Sequence, residues 1–172
     1  GSTAGTSPGG AGPWQGCVRG ETSCDTCPTT TVEVDRGSYF IDATETTNAE
    51  YTLFLSANVP IASQPAVCRW NLTFVPNVNW PIVGKDNMPV TWVDWCDAFA
   101  YCAWAGKRLC GAVGGGTAPF AESDDPGQNQ WFDACTTGGT SIYPYGATYE
   151  PLTCNGADYG AEALVAAGTM AN

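Results

Sequence analysis

Apolar and polar residues alternate on both sides of Arg36-Gly37 in the stretch TVEVDRGSYFID, residues 31–42. Such alternation over a few residues is typical of a strand with one buried face, and a glycine between two such runs is typical of a turn. The pattern therefore predicts two short strands joined by a turn.

A helical period follows in TETTNAEYTLFLSAN. Thr47 and Glu50 form the T-x-x-E of a capping box, which satisfies free backbone donors at the start of a helix. Asn58 can adopt the left-handed conformation that closes a helix. One face of this predicted helix carries the apolar residues Tyr51, Phe54 and Leu55.

A second helix is predicted in DWCDAFAYCAWAGKRLC, residues 94–110. Asp94 can cap its first turn, and Gly106 can end it. We expect Lys107 and Arg108 to cap helix carbonyls or to pair with carboxylates. The helical period assigns one apolar face to Trp95, Ala98, Phe99 and Cys102. The core or groove-lining aromatics expected here are Trp95, Phe99 and Trp104.

The stretch between the two helices, residues 59–93, contains five prolines and is expected to be irregular. It includes Asn71-Leu72-Thr73, an acceptor sequence for N-glycosylation in a host that glycosylates. Residues 1–26 are rich in small, polar residues, Gly and Pro, and are expected to form a flexible lead-in. Sequence patterns typical of strands and helices begin near Cys27.

Composition excludes several partners and chemistries. The 172 residues carry a formal net charge of −11 and only six Lys and Arg, so nucleic acid would be repelled. No run of about 18 apolar residues is present, which predicts no membrane span. Histidine is absent. This chain therefore lacks the usual general base and the commonest metal ligand.

Cysteine is abundant, which favours an oxidising compartment and a secreted or cell-surface protein. Disulfides are favoured over zinc because only Cys24 and Cys27 have the CxxC spacing. The number of cysteines is odd, so at least one thiol is free or pairs outside the chain. The cysteines of this chain are Cys17, Cys24, Cys27, Cys68, Cys96, Cys102, Cys110, Cys135 and Cys154.

Helix geometry restricts the pairing of Cys96 with Cys102. Six residues along a helix separate their Cα atoms by about 9 Å. A disulfide needs less than about 7 Å, so each must find another partner. We expect structural disulfides, and the candidate cysteines are Cys24, Cys27, Cys68, Cys96, Cys102, Cys110, Cys135 and Cys154.

The segments FIDATETTNAEYTLFL, PVTWVDWCDAFAYCAWAGKRL, WFDAC, GG, YPYG and CN follow one another over residues 31–156. In order and spacing this series resembles the formylglycine-generating-enzyme family, also called the sulfatase-modifying-factor family. The resemblance implies an α+β, C-type-lectin-like fold, loop-rich and stapled by disulfides. Residues 27–172 would form the N-terminal part of such a domain. The family's catalytic cysteine pair and C-terminal blocks have no match here, so the C-terminal part is expected to be missing.

The sequence also departs from the family pattern. The family's KRLPTEAEWE becomes KRLCGAVGGG, so that Cys110 replaces a proline. Cys68 and Cys96 are further additions, which suit an extracellular setting. Cys102 and Cys135 match structural cysteines that in the family pair with cysteines near the C-terminal end. The resemblance therefore places their partners outside residues 1–172.

The resemblance also suggests a metal. Asn155 matches an asparagine that serves calcium in the family, Gly156 offers a carbonyl and Asp158 is a weaker candidate ligand. The alternative is a simple Asn-Gly turn. Copper is expected only if the missing C-terminal part carries the cysteine pair. An acidic loop is favoured as solvated rather than calcium-binding, and it contains Glu122, Asp124 and Asp125.

Two functions remain open. The favoured one is a secreted or cell-surface, non-catalytic module that uses this scaffold for binding or assembly, because no catalytic residue of the family is present. The alternative is the N-terminal part of a copper-dependent oxidase that converts a sulfatase cysteine to formylglycine. The family's iron-dependent sulfoxide synthases are a third possibility, but they need histidine ligands, which this chain lacks. The expected partner is a second chain or C-terminal half that completes the domain, and self-assembly stays open.

Overall fold

A computed structural model of the chain describes residues 32–77, 80–160 and 163–170. These residues form an α+β structure in which two short strands and three α-helices are connected by long irregular segments and 3-10 turns. The α+β, loop-rich character expected from the sequence is thus present. The expected lead-in of residues 1–26 lies outside the described residues, as do Cys17, Cys24 and Cys27.

The predicted pair of strands is confirmed. β1 (Glu33–Asp35) and β2 (Phe40–Asp42) are antiparallel, with Val34 opposite Ile41. Gly37 has a φ of 84° in the turn between them, a value that favours a residue without Cβ.

The first predicted helix is also confirmed, as α1 (Asn48–Ser56). Thr47 Oγ1 accepts a hydrogen bond from the Glu50 amide at 3.2 Å, and Glu50 Oε2 accepts one from the Thr47 amide at 2.8 Å. Asn58 closes the helix with a φ of 51°. Tyr51 and Phe54 are the buried apolar residues of its inner face.

The second helix is α2 (Trp95–Trp104). Asp94 Oδ1 accepts hydrogen bonds from the amides of Cys96 and Asp97, as expected for its cap. Asp97 Oδ2 in turn accepts one from the Asp94 amide at 3.1 Å, which completes a second capping box. Gly106 ends the helix with a φ of 71°.

Of the aromatics of α2 that were expected to line the core or a groove, Trp104 lies in the core, but the face that begins at Trp95 is not the innermost one. Trp95 is 55% exposed. The helix turns another face inward because Cys96 forms a disulfide with Cys68, with a Cα–Cα distance of 5.8 Å. Cys96 therefore does not pair with Cys102, as predicted. The buried residues of α2 are Cys96, Asp97, Ala100, Tyr101 and Trp104.

The core between α1 and α2 is largely aromatic. Its ring pairs have centroids 5.2 to 5.8 Å apart, a range in which tilted and edge-to-face rings attract one another. The Tyr51 hydroxyl donates to the Phe74 carbonyl at 2.8 Å, so the buried polar end of this ring is satisfied. The rings are those of Tyr51, Phe54, Phe74, Tyr101 and Trp104.

The glycosylation sequence lies against this core. Asn71 is 5% exposed, and its Nδ2 donates to Asp97 Oδ1 at 2.7 Å and to Gln64 Oε1 at 3.2 Å. Both amide hydrogens are thus used inside the protein. A glycan on this nitrogen would replace one of these hydrogens and break its bond in a buried site, so the folded chain does not present Asn71 for modification.

A third helix, α3 (Gln130–Cys135), begins at the Asn129 cap, whose Oδ1 accepts from the Phe132 amide at 3.0 Å. An isolated bridge joins Ala112 to Asn129, and the Gln130 amide donates to the Gly111 carbonyl at 2.9 Å. The segment that follows α2 is therefore held against the start of α3.

Candidate functional site

Three thiols lie where the end of α2, the segment after it and α3 meet. Burial raises the pKa of the Cys102 thiol to about 11 and also raises the pKa values of Cys110 and Cys135. The charge of Cys110 adds to the rise at Cys102, and that of Cys135 adds to the rise at Cys110. At neutral pH all three are protonated. They are poor nucleophiles in that form, because the thiolate is the reactive species.

Disulfides of these three cysteines and of Cys154 stay a prediction. Within the described residues the four are thiols, and the pairing that the structure contains is Cys68 with Cys96.

A group of charges borders the thiols. Lys107 Nζ lies 2.5 Å from Asp42 Oδ1 and 3.9 Å from Glu33 Oε1, which ties the end of α2 to the strand pair. The expected pairing of Lys107 with carboxylates is thus confirmed. Arg108 hydrogen-bonds uncharged groups instead: its Nη1 donates to the Gln130 side-chain oxygen at 2.8 Å and to the Leu109 carbonyl at 3.1 Å.

A second polar link joins the strand pair to α3. The Tyr39 hydroxyl donates to Asp133 Oδ2 at 2.5 Å, and its oxygen lies 2.8 Å from the Gln130 carbonyl oxygen. Arg36 Nε lies 3.3 Å from the same Asp133 Oδ2. The hydrogen bond from Tyr39 and the Arg36 charge lower the pKa of Asp133. Sequence reasoning missed this link, since its partners are more than 90 residues apart and no local pattern joins them.

Among the described residues, two buried side-chain polar atoms have no hydrogen-bond partner, namely Gln130 Nε2 and Asn48 Oδ1. The oxygen of the same Gln130 amide accepts from Arg108 and from the Gly111 amide. The nitrogen of the Asn48 amide donates to the Lys85 carbonyl at 2.8 Å. Each side chain is therefore fixed by its other atom, so both serve as cross-links between segments.

The outward face of α2 carries two stacked rings. The centroids of Trp95 and Phe99 lie 5.2 Å apart with an interplanar angle of 23°. Trp95 is more than half exposed. We call Trp95 and Phe99 the outer aromatic face. Large apolar side chains grouped at a surface are typical of an interaction site.

The residues predicted for calcium lie in one exposed segment around the 3-10 turn Ala157–Tyr159. Asn155 Nδ2 donates to the Ala163 carbonyl at 2.9 Å, and Asp158 Oδ2 accepts from the Tyr149 hydroxyl at 2.5 Å. The Gly156 carbonyl accepts from the Tyr159 amide at 3.2 Å. The side chains of Asn155 and Asp158 thus anchor the turn, and calcium binding stays a prediction.

Among the described residues, the structure shows neither a group of three or more metal-ligating Cys, Asp or Glu nor a helix long and apolar enough to cross a membrane. The candidate functional features of this part of the chain are therefore the thiol group and the outer aromatic face.

Comparison with known proteins places these features in a family. The family model described as "Sulfatase-modifying factor enzyme 1-like domain" matches residues 7–169. The chain belongs to this family. The match includes both strands, all three helices and the thiol group of this family member.

Curated relatives agree with this assignment. The formylglycine-generating enzymes of Mus musculus and Bos taurus are 26% and 27% identical to it over 157 residues, which covers 72% of this chain and 37% of each relative. An uncharacterized protein of Bacillus subtilis (strain 168), YfmG, is 30% identical over 116 residues, 66% of this chain and 20% of the relative. The chain thus spans well under half the length of these relatives. No solved structure gives a significant match.

Proposed function

We propose that this family member is a non-catalytic scaffold module, secreted or at the cell surface, with a C-type-lectin-like fold. In this proposal its outer aromatic face binds further polypeptide that completes the domain. Calcium at Asn155, Gly156 and Asp158 would belong to the same module. The observation that carries the proposal is the exposed Trp95–Phe99 stack on a helix whose other face is buried.

The state of the thiols supports a structural role. A thiol that attacks a substrate needs a lowered pKa. Burial acts in the opposite direction on Cys102, Cys110 and Cys135. These cysteines suit covalent links better than catalysis, and Cys102 and Cys135 are the candidates for links to the completing polypeptide.

The charged side chains near the thiols also have structural partners. Lys107 is held by Asp42, and Asp133 is held by Tyr39 and Arg36. A general acid or base must reach a substrate proton within hydrogen-bond distance. Here these groups instead join the strand pair to α2 and α3, which is what a scaffold requires.

The alternative is the N-terminal part of a copper-dependent oxidase. It is favoured by the similarity to two proteins named formylglycine-generating enzymes. In that case copper would be held by cysteines of the completing polypeptide. The substrate class would be sulfatase-type peptides with the sequence CxPxR.

A peptide assay separates the two functions. The protein from its native source, with any polypeptide that it binds, is incubated with copper, oxygen and a CxPxR peptide, and conversion of the peptide cysteine to formylglycine is followed by mass spectrometry. We expect the cysteine to stay unchanged, while a formylglycine-generating enzyme converts it in a parallel reaction. Conversion above the rate of copper alone would overturn the non-catalytic function and establish the alternative.

A further inference from the structure

The irregular segment between α1 and α2 contains a pocket, which includes parts of the two 3-10 turns Ile61–Ser63 and Ala66–Cys68. Its volume is about 390 Å³, within the range of about 300–1,000 Å³ that is usual for small-molecule sites. All of its lining lies between positions 61 and 72. The lining residues are Ile61, Ala62, Gln64, Ala66, Cys68, Arg69, Asn71 and Leu72.

Two contacts with α2 hold the pocket in shape. Cys68 is fully buried, and its disulfide with Cys96 ties the lining to the first turn of α2. Asn71 is buried as well, and its Nδ2 donates to Asp97 Oδ1 of the same helix at 2.7 Å. The pocket is therefore formed before a ligand arrives, as is usual for small-molecule sites.

The two amide side chains of the lining have no N–H left for a ligand. Gln64 Nε2 donates to the Ile61 carbonyl at 3.2 Å and to the Asn71 carbonyl at 3.0 Å. Asn71 Nδ2 donates to Gln64 Oε1 at 3.2 Å and to Asp97 Oδ1. A primary amide has two N–H donors, so both side chains are fully used. The carbonyl groups of a bound peptide backbone would find no side-chain donor here apart from Arg69.

Arg69 is the charged group of the lining. Its side chain is exposed, and no carboxylate of the described residues pairs with it. The other arginines of this part of the chain, Arg36 and Arg108, are held by Asp133 and Gln130. A guanidinium can donate two parallel hydrogen bonds to one carboxylate. The lining therefore favours a ligand with a carboxylate head.

The other side chains of the lining favour an apolar tail. Ile61 and Leu72 line the pocket together with two alanines. Leu72 is 79% exposed, so its apolar surface stays in contact with water. A ligand that covers this surface gains the free energy of removing it from water.

We propose that this pocket binds a small carboxylic acid with an apolar tail, whose carboxylate pairs with Arg69 and whose tail packs on Ile61 and Leu72. The net charge of −11 opposes the binding of multiply charged anions, so a singly charged carboxylate is favoured over a phosphate ester. The pocket goes beyond the proposed function and does not depend on it, because it does not include the outer aromatic face.

Calorimetric titration of the protein with four small molecules tests the ligand class. Hexanoate should bind once per chain. Hexanamide has the same tail without the charge, and we expect it to bind at least about tenfold more weakly, because hydrogen bonds to charged groups are the stronger ones. Octanoate should bind more tightly than hexanoate, by about fourfold for each added methylene that reaches the apolar wall. Acetate, which lacks the tail, should give no measurable binding.

Three variants test the residues. Arg69→Gln should weaken hexanoate at least about tenfold, and Leu72→Ser should weaken it severalfold. Lys85→Gln removes an exposed cation outside the pocket and should leave the affinity unchanged. The three side chains are exposed, so the variants should keep the fold, which near-ultraviolet circular dichroism checks.

Three results would overturn the site: no binding of hexanoate at millimolar concentration, equal binding of hexanoate and hexanamide, or equal binding of hexanoate by wild type and Arg69→Gln. A peptide with a free C-terminal leucine is the further probe. If it binds more tightly than hexanoate and depends on Arg69, the ligand is a protein C-terminus and the proposed small acid is wrong. The CxPxR assay bears on the proposed function alone, so the failure of either proposal is distinguishable from that of the other.

Discussion

At the scale of single residues, local signals were predictable and distant contacts were not. The Thr47–Glu50 capping box and the left-handed Asn58 depend on neighbours within a few positions, and both occur as predicted. The bond between Tyr39 and Asp133 joins residues 94 positions apart. Its existence depends on how the strand pair packs against α3, which no sequence period encodes.

This distant bond gives a stability prediction. Asp133→Asn keeps an oxygen that can accept from Tyr39 but loses the charge that attracts Arg36. We expect the free energy of unfolding to fall by about 1 kcal/mol at neutral pH, because a hydrogen bond to a charged group is worth more than a neutral one and exposure to solvent weakens it. Urea unfolding measures the change, and Asp124→Asn, at an exposed carboxylate, is the control.

The difference in stability between wild type and Asp133→Asn should depend on pH. The folded state lowers the pKa of Asp133 below its ordinary 3.8, mainly through the hydrogen bond from Tyr39. Its stabilisation is therefore fully present above pH 3.8 and is lost as the pH falls through the folded pKa. The difference between wild type and Asp133→Asn should shrink on acidification. A difference that grows in acid would contradict the assignment.

At the scale of elements, the positions of α1 and α2 followed from caps and periods, but the orientation of α2 did not. Apolar residues occur on both sides of this helix, so the period alone did not identify the inner face. The Cys68–Cys96 disulfide and the bond from Asn71 to Asp97 turn the Cys96 side inward. Two interactions, across 28 and 26 residues of sequence, thus decided what the helical pattern left open.

The orientation of α2 can be tested with its two tryptophans, because one is buried and the other is exposed. Trp104 is 7% exposed and packs on Phe54, whereas Trp95 is 55% exposed. Trp104→Ala should lower the free energy of unfolding by about 3–5 kcal/mol, because it leaves a cavity in the core. Trp95→Ala should cost about 1 kcal/mol, the value of a stacked aromatic pair. Equal losses in denaturant unfolding would mean that α2 is turned the other way.

At the scale of the whole molecule, the motif order predicted the family, and the family model confirms it over residues 7–169. The structural staple that the described residues contain, Cys68–Cys96, joins two of the cysteines that depart from the family pattern. Sequence reasoning could not pair them, since nine cysteines allow many connectivities and spacing excludes only a few.

The central claim is that further polypeptide covers the outer aromatic face of this scaffold. Hydroxyl-radical footprinting of the isolated 172-residue chain and of the native protein purified from its source tests it most directly. Trp70, which is 63% exposed outside the outer aromatic face, is the internal control. We predict that Trp95 is oxidised in the isolated chain and protected in the native protein, while Trp70 is oxidised in both. Equal oxidation of Trp95 in the two samples would contradict the account.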